Sequence, residues 1–509
     1  MSLKTAKAAN PSRFHTSARA MWQSSLWLLL ATLICMPFFD HELTHTDPAH
    51  ELKAMAWGLL HANFFIEGII EALLNTLAFA LQAVFASSLI GLALAQIYHW
   101  PGLRQLMAFL RSIHELFWAL ILLQLFGLSP LTGVLALAIP YSATFARVFA
   151  EILQETPKQV YRQLPGTHIN RFIYSTLPLA WPRLATYTRY RLECALRASV
   201  VLGFIGLPTL GFQLEGYLKL GRYSEVAALI LVFIALVLSM RWWSLRPILV
   251  PLFLASLVLF PPTLTEDSHW QPQRLTQFFH DIVPAPLKLD GAQQNWTALY
   301  HWFEPLWHTQ ILPGIGHTLV LGQIALALAA FLALLWFPLI SKHCVNTPWL
   351  RYPGDLFLVI LRCLPELLLA FIGLIILGPS LLPGVLAIGL HNGALLAHLL
   401  GRHSNEFTLR NDINQGAGAY FFEVLPRIYG QFLAFTLYRG ETILRETAIL
   451  GILGIPTLGF FIDSAFEEFR LDRAVMLILV SAAINIIAES LATRLRHYLH
   501  RAQAHSTNV

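Results

Sequence analysis

The sequence predicts an all-α polytopic membrane protein of about twelve transmembrane helices, written as two parallel six-helix repeats. Three observations carry this. The 509 residues are 56% hydrophobic and 12% charged, with a mean hydropathy of +0.58, which leaves too little polar surface to cover a soluble particle of that size. Charge-poor runs recur at about twenty residues, the length that crosses the hydrocarbon of a bilayer. Finally, "LGFIGLPTLGF" at 202–212 returns at 450–460 as "LGILGIPTLGF".

The expected spans lie near 22–39, 70–96, 113–128, 131–150, 190–208, 223–240, 245–263, 317–340, 355–378, 382–400, 436–455 and 474–491. Lys and Arg are retained in cytoplasmic loops, and their placement orients these spans. Lys4, Lys7, Arg13 and Arg19 precede the first; Arg104 and Arg111 separate the second and third. Arg241 and Arg246 separate the sixth and seventh, and Arg494, Arg496 and Arg501 follow the last. Of 34 Lys and Arg only seven fall outside: Lys53, Lys219, Arg222, Arg274, Lys288, Arg470 and Arg473. Both termini are therefore expected in the cytoplasm. The net charge of +5 is spread over loop edges, so it calls for no nucleic-acid partner. The first span has a signal-like basic flank, but "CMPFFDHELTHTD" offers no small-x-small cleavage site, and it reads as a retained anchor. Cys35, Cys194, Cys344 and Cys363 lie in or beside spans, with no disulfide framework or metal-ligand spacing.

The duplication extends well beyond eleven residues. At an offset of 248, residues 188–212 match 436–460 at 14 of 25 positions. Upstream, "RSIHELFWALILLQLFGLSPLTGVLALAIP" from Arg111 matches "RCLPELLLAFIGLIILGPSLLPGVLAIGLH" from Arg362 at an offset of 251. The first repeat is assigned to 1–242, with its shared core at about 65–240; the second to 243–509, with an outer loop at about 264–315 and a core at about 315–495. Six spans each make the repeats parallel, related by a pseudo-two-fold axis along the membrane normal, with a pathway lined by equivalent helices. Within them Gly203, Gly206 and Gly211 are mirrored by Gly451, Gly454 and Gly459, and Pro208 by Pro456. Two readings of this set stand: small-residue helix packing, or a helix break at an outer gate. A break inside the bilayer is tolerated only where protein or water covers it.

Charges inside spans are costly. Glu115 and Glu366 occupy equivalent places one turn beyond Arg111 and Arg362, so each is either half of an i,i+4 ion pair or a pathway group. Arg197 and Arg445, with Glu193 and Glu441, form a second repeated set, and these arginines are pathway candidates for an anion. His391 and Asn392 stand where the first half has Pro140 and Tyr141, which makes the expected pathway chemically asymmetric.

Taken together, "LRSIHELFWALIL" with "LRCLPELLLAFIG", "GVLALAIP" with "GVLAIGLH", and the twice-written "YR…E…LR…LG..G.PTLGF" resemble the permease subunit of bacterial binding-protein-dependent ABC importers. The phosphonate/phosphite-type branch is the most similar. The resemblance covers about 65–240 and 315–495. It implies the type I importer permease fold, with a usual dimer fused into one polypeptide. It also implies that the loops "EILQETPKQVYRQLPGTHINRFIYSTLP" (Gly166, Leu177, Pro178) and "RHSNEFTLRNDINQGAGAYFFEVLP" (Gly416, Leu425, Pro426) couple to ATPases. Both depart from the family's Glu-Ala-Ala…Gly wording, and the second is three residues shorter.

The partners implied are two ABC ATPase subunits and an extracytoplasmic substrate-binding protein, the latter docking near 213–222 and 461–473; membrane lipid surrounds the chain. The sequence has no Gly-Lys dipeptide and so no Walker A loop; ATP belongs to the partners and this chain carries no cofactor. A twelve-span secondary transporter is the alternative, but it would commonly have a long central connection where this chain has "RWWSLR". A membrane enzyme would need clustered catalytic groups, and the 20 histidines show no His-Glu-x-x-His spacing. The expected cargo is an oxyanion such as phosphonate or phosphite.

Overall fold

The computed structural model describes residues 11–40, 47–157, 167–244, 246–257, 272–288, 296–408 and 417–507. Among the described residues the chain is helical, without a strand. The first half runs α1 (Pro11–Cys35), α2 (Pro48–Leu60), α3 (Ile69–Gln96), α4 (Pro101–Ser112), α5 (Glu115–Phe126), α6 (Pro130–Glu155), α7 (Leu177–Val201), α8 (Leu210–Lys219) and α9 (Tyr223–Trp243). The short α10 (Arg246–Ser256) follows. After two further short helices, Pro272–Asp281 and Trp296–Leu306, come α11 (Leu312–Trp336), α12 (Pro348–Cys363), α13 (Glu366–Leu377), α14 (Leu382–Ser404), α15 (Leu425–Glu446), α16 (Leu458–Glu467) and α17 (Leu471–Thr507).

Among the described residues seven helices are long and apolar enough to cross a membrane, or up to eleven spans if each of four bent pairs is one. Eleven of the twelve expected runs coincide with these spans; the seventh, 245–263, meets the 11-residue α10 and continues outside the described residues. The bent pairs fall at equivalent places. The chain turns by 89° between α4 and α5 and by 91° between α12 and α13; it turns by 52° into α8 and by 44° into α16. The first two bends separate Arg111 from Glu115 and Arg362 from Glu366. The members of each pair therefore lie on consecutive helices, one on either side of a bend.

The chain forms two compact units that cut across the sequence halves. One comprises residues 47–304 and 464–482, the other residues 1–46, 305–463 and 483–509. In the first, α3 packs along α6 and α7, with α4 and α5 against α6 and α2 against α9. In the second, α11 packs along α14 and α15, with α12 and α13 against α14. Each unit also holds a helix that precedes the other repeat. α10 lies on α3, where Gln82 donates to the Ser256 carbonyl (2.7 Å) and Phe85 stacks on Phe253. α1 lies on α11 and α15, where Gln323 donates to the Leu28 carbonyl (3.1 Å) and Thr32 (3.0 Å), and Ser25 bonds Tyr429 (2.6 Å).

In lipid, helices gain little by hiding apolar surface from their surroundings, so close fit and interhelical hydrogen bonds must hold them. The residues match that requirement. Ala325, Ala329 and Ala333 on α11 and Ala387, Ala394 and Ala397 on α14 are all buried, letting the two backbones approach. In the other unit Phe79, Ala83, Ala136 and Leu137 form the equivalent core between α3 and α6.

Candidate functional site

The repeated glycines build a helix break in each unit. In the first, α7 tightens into a 3-10 turn, Leu202–Ile205, and stops at Gly206. Gly206 has φ +96° and its counterpart Gly454 +80°, a region that side chains enter at a cost. The next helix then folds back so closely that a Cβ on Gly211 would fall 1.8 Å from the Val200 carbonyl oxygen; on Gly459 it would fall 1.9 Å from that of Ala448. Gly203 and Gly451 face the same crossing: a Cβ on either would fall 2.1 Å from a backbone atom beyond the break, Phe212 N in the first and Gly459 C in the second. The glycines therefore both make the break and pack it.

Freed backbone groups at the break are satisfied from the first core helix of the same unit. Thr76 Oγ1 accepts from the Leu210 amide and Thr318 Oγ1 from the Leu458 amide, each at 3.0 Å. The Pro208 carbonyl accepts from Asn75 Nδ2 (2.9 Å), and the Pro456 carbonyl from His317 Nδ1 (2.8 Å). Because a carbonyl only accepts, the hydrogen of His317 sits on Nδ1. These pairs, Asn75-Thr76 and His317-Thr318, thus hold the break in the two halves. Their signal is the "NTL" and "HTL" in spans two and eight, which lie at an offset of 242 rather than 248.

Glu115 and Glu366 sit at the sharper bends. His391, wholly buried on α14, donates from Nδ1 to the Leu364 carbonyl in the bend (3.1 Å) and sets Nε2 2.9 Å from Glu366 Oε1. A single side chain thus ties both sides of the 91° turn. In the first half the histidine comes from the bend itself: His114 Nδ1 accepts from the Leu116 amide, and Nε2 lies 3.8 Å from Glu115. Asn392 joins a different group. Its Nδ2 donates to the Ile388 carbonyl and to Glu446 Oε2 (2.9 Å each), while its Oδ1 accepts from Arg439 Nε (2.6 Å) and from Nη2. Arg439 Nη2 also reaches Glu446 Oε1 at 3.2 Å.

Arg197 Nη2 lies 3.5 Å from Cys194 Sγ, and Arg445 sits in the last turn of α15, both partly buried. Arg439 stands at the centre of its cluster, and the repeated "YR" marks it and its first-half equivalent, Arg191. Arg191 lies 3.9 Å over the ring of Tyr141.

Of the residues assigned to the two loops, Gly166 and Gly416 lie outside the described residues. Leu177 with Pro178 and Leu425 with Pro426 open α7 and α15, each just after a π-helical turn, Phe172–Thr176 and Tyr420–Val424. Proline brings no N–H to the first turn, where none is needed. Beside these turns Ile169 and Tyr174 in one half, and Phe421 and Phe422 in the other, are exposed. Among the described residues no group of three or more His, Cys, Asp or Glu could hold a metal ion.

The chain is 24% identical to the phosphate-import permease protein PhnE of Mycolicibacterium smegmatis over 467 residues, 85% of each chain. It is 36% identical over 137 residues, 26% of this chain and half of the relative, to the phosphite transport system permease protein PtxC of Stutzerimonas stutzeri. Over 116 residues it is 24% identical to a putative cryptic phosphonate transport system permease protein of Escherichia coli, spanning 95% of that protein. No family model matches the chain, and no solved structure matches it. The chain is thus a homologue of permease proteins from phosphate, phosphite and phosphonate transport systems, carrying a permease duplication in one multi-pass polypeptide.

Proposed function

We propose that this protein is the membrane-spanning component of an ATP-binding-cassette importer, and that it passes a phosphorus oxyanion, phosphate, phosphite or a phosphonate, inward across the inner membrane. Two separate ATPases drive it, an extracytoplasmic binding protein loads it, and both termini lie in the cytoplasm. The observation that carries this reading is the relationship over 85% of both chains to a phosphate-import permease, in a protein that builds the same glycine-lined break twice.

The breaks at Gly203–Gly211 and Gly451–Gly459 serve as the outer gate in this reading. Each is a point where a short helix can pivot on a longer one, and each is tied to the first core helix by two hydrogen bonds. The turns that open α7 and α15 are the ATPase contacts. Exposed apolar side chains beside them, Tyr174 in one half and Phe422 in the other, support a protein partner there. Purification of the tagged chain in mild detergent, with quantitative identification of what accompanies it, tests the assembly. One copy of this chain with two P-loop ATPases is the expected result. Recovery of a folded, transport-competent chain without any ATPase would refute it and favour an ion-coupled carrier.

A further inference from the structure

Arg191 and Arg439 are the same residue of the two repeats, yet their surroundings differ in charge. Around Arg439 the guanidinium is answered by Asn392 and Glu446 and is neutralised within the protein. In the first half the position of Glu446 is held by Ala198 and that of Asn392 by Tyr141. The Arg191 guanidinium lies over the Tyr141 ring, its carbon 3.9 Å from the centroid, and its Nε is buried without a hydrogen-bond partner. Tyr141, Tyr187, Tyr190 and Cys194 are among its polar neighbours, and Glu115 and Arg197 act on the same Tyr141. Among the described residues no carboxylate forms an ion pair with it.

A guanidinium stays charged in any protein environment, and placing one within a bundle without a counter-charge is costly. An aromatic face recovers part of that cost. A ring face accepts no conventional in-plane hydrogen bond, however, and Arg191 Nε remains without a partner. Planar donors in a fork suit two oxygens of a phosphorus oxyanion. We propose that Arg191 is the anion-binding residue of this permease, that Tyr141 supports its guanidinium from behind, and that Arg439 is its internally neutralised, structural counterpart. The inference rests on the functional reading above and deepens it: one repeat carries the cargo contact while the other keeps the framework.

The test uses the full chain with its ATPases and binding protein in proteoliposomes, and radiolabelled phosphate, phosphite and methylphosphonate as probes. Arg191→Gln is expected to lower anions imported per ATP hydrolysed by about tenfold or more, the loss of one charge-assisted contact. Arg191→Lys is expected to recover part of it. The melting temperature of Arg191→Gln stays at or above that of the wild type, because a buried unpaired charge has been removed. Arg439→Gln, which strands Glu446, lowers the melting temperature instead.

An import ratio for Arg191→Gln within twofold of wild type overturns the assignment, as does a loss matched by a fall in melting temperature. If import is unchanged and the variant instead loses co-purifying phospholipid, the residue holds a lipid headgroup and the assignment also falls. A wild-type protein that imports none of the three anions defeats the functional reading together with this inference. Normal wild-type import with an indifferent Arg191→Gln defeats this inference alone.

Discussion

Replacing Gly211 by alanine puts the duplicated break under direct strain. The added Cβ would stand 1.8 Å from the Val200 carbonyl oxygen, against an ordinary contact of 3.4 Å or more, so two backbone segments must separate by about 1.6 Å. No side-chain rotation can relieve this, since the obstructing atom is main chain. Overpacking a well-fitted site costs about 1–3 kcal/mol. Here the shift also pulls on the Leu210 amide bond to Thr76 and the Pro208 bond to Asn75, so a cost at or above the upper end is expected. Gly216 on the same short helix is the control. A Cβ there meets nothing within 4 Å, and alanine should be neutral or stabilising by up to about 1 kcal/mol through helix propensity. Thermal unfolding of the purified proteins, read beside uptake, gives the result. Gly211→Ala and Gly459→Ala should both melt lower than wild type and transport poorly, while Gly216→Ala does neither. Equal behaviour of Gly211→Ala and Gly216→Ala would refute the steric account of the break.

Thr76→Val and Thr318→Val each leave a buried amide without its acceptor and should each destabilise by about 1–3 kcal/mol, measured by thermal unfolding. Removing Arg439 alone strands Glu446, so Arg439→Met should cost about 3–5 kcal/mol, whereas Arg439→Met with Glu446→Met should recover most of it; a non-recovering double variant would contradict the pairing. His391→Phe keeps the bulk but severs both ties across the bend between α12 and α13, and should lower the melting temperature more than His114→Phe, whose Nε2 stands farther from its glutamate. Cys344 lies between spans, and burial pushes its thiol up from its ordinary value more than the Ser341 hydrogen bond draws it down. Less thiolate is then present at neutral pH, and maleimide labelling of Cys344 in the folded protein should be slow at pH 7 and quicken only at higher pH than a solvent-exposed thiol requires.

Hydropathy made the spans legible because lipid imposes a length and a charge limit that composition cannot hide. The break was legible for a different reason: only glycine tolerates backbone at 2 Å separation from an absent Cβ, so the chain had to write it the same way twice. The sharp turn before Glu366 had a weak signal in Pro365, which disfavours helix at Leu364. Its first-half counterpart reads Ile113-His114, with no such signal. The Arg439 cluster was hidden because its members come from α14 and α15, 47 residues apart at Asn392 and Arg439, and periodicity says nothing about which helices become neighbours. The same gap hid the placement of α1 on α11 and of α10 on α3. Apolarity marks both helices as buried in something, without saying in what.

ATP-dependent import by the reconstituted complex tests the central claim most directly. Proteoliposomes holding this chain, its ATPases and the loaded binding protein should accumulate a labelled phosphorus oxyanion when ATP is supplied on the ATPase side, and should continue to do so after ionophores collapse every ion gradient. Uptake that ignores ATP and stops when the gradients are collapsed would contradict the account and make the protein an ion-coupled carrier.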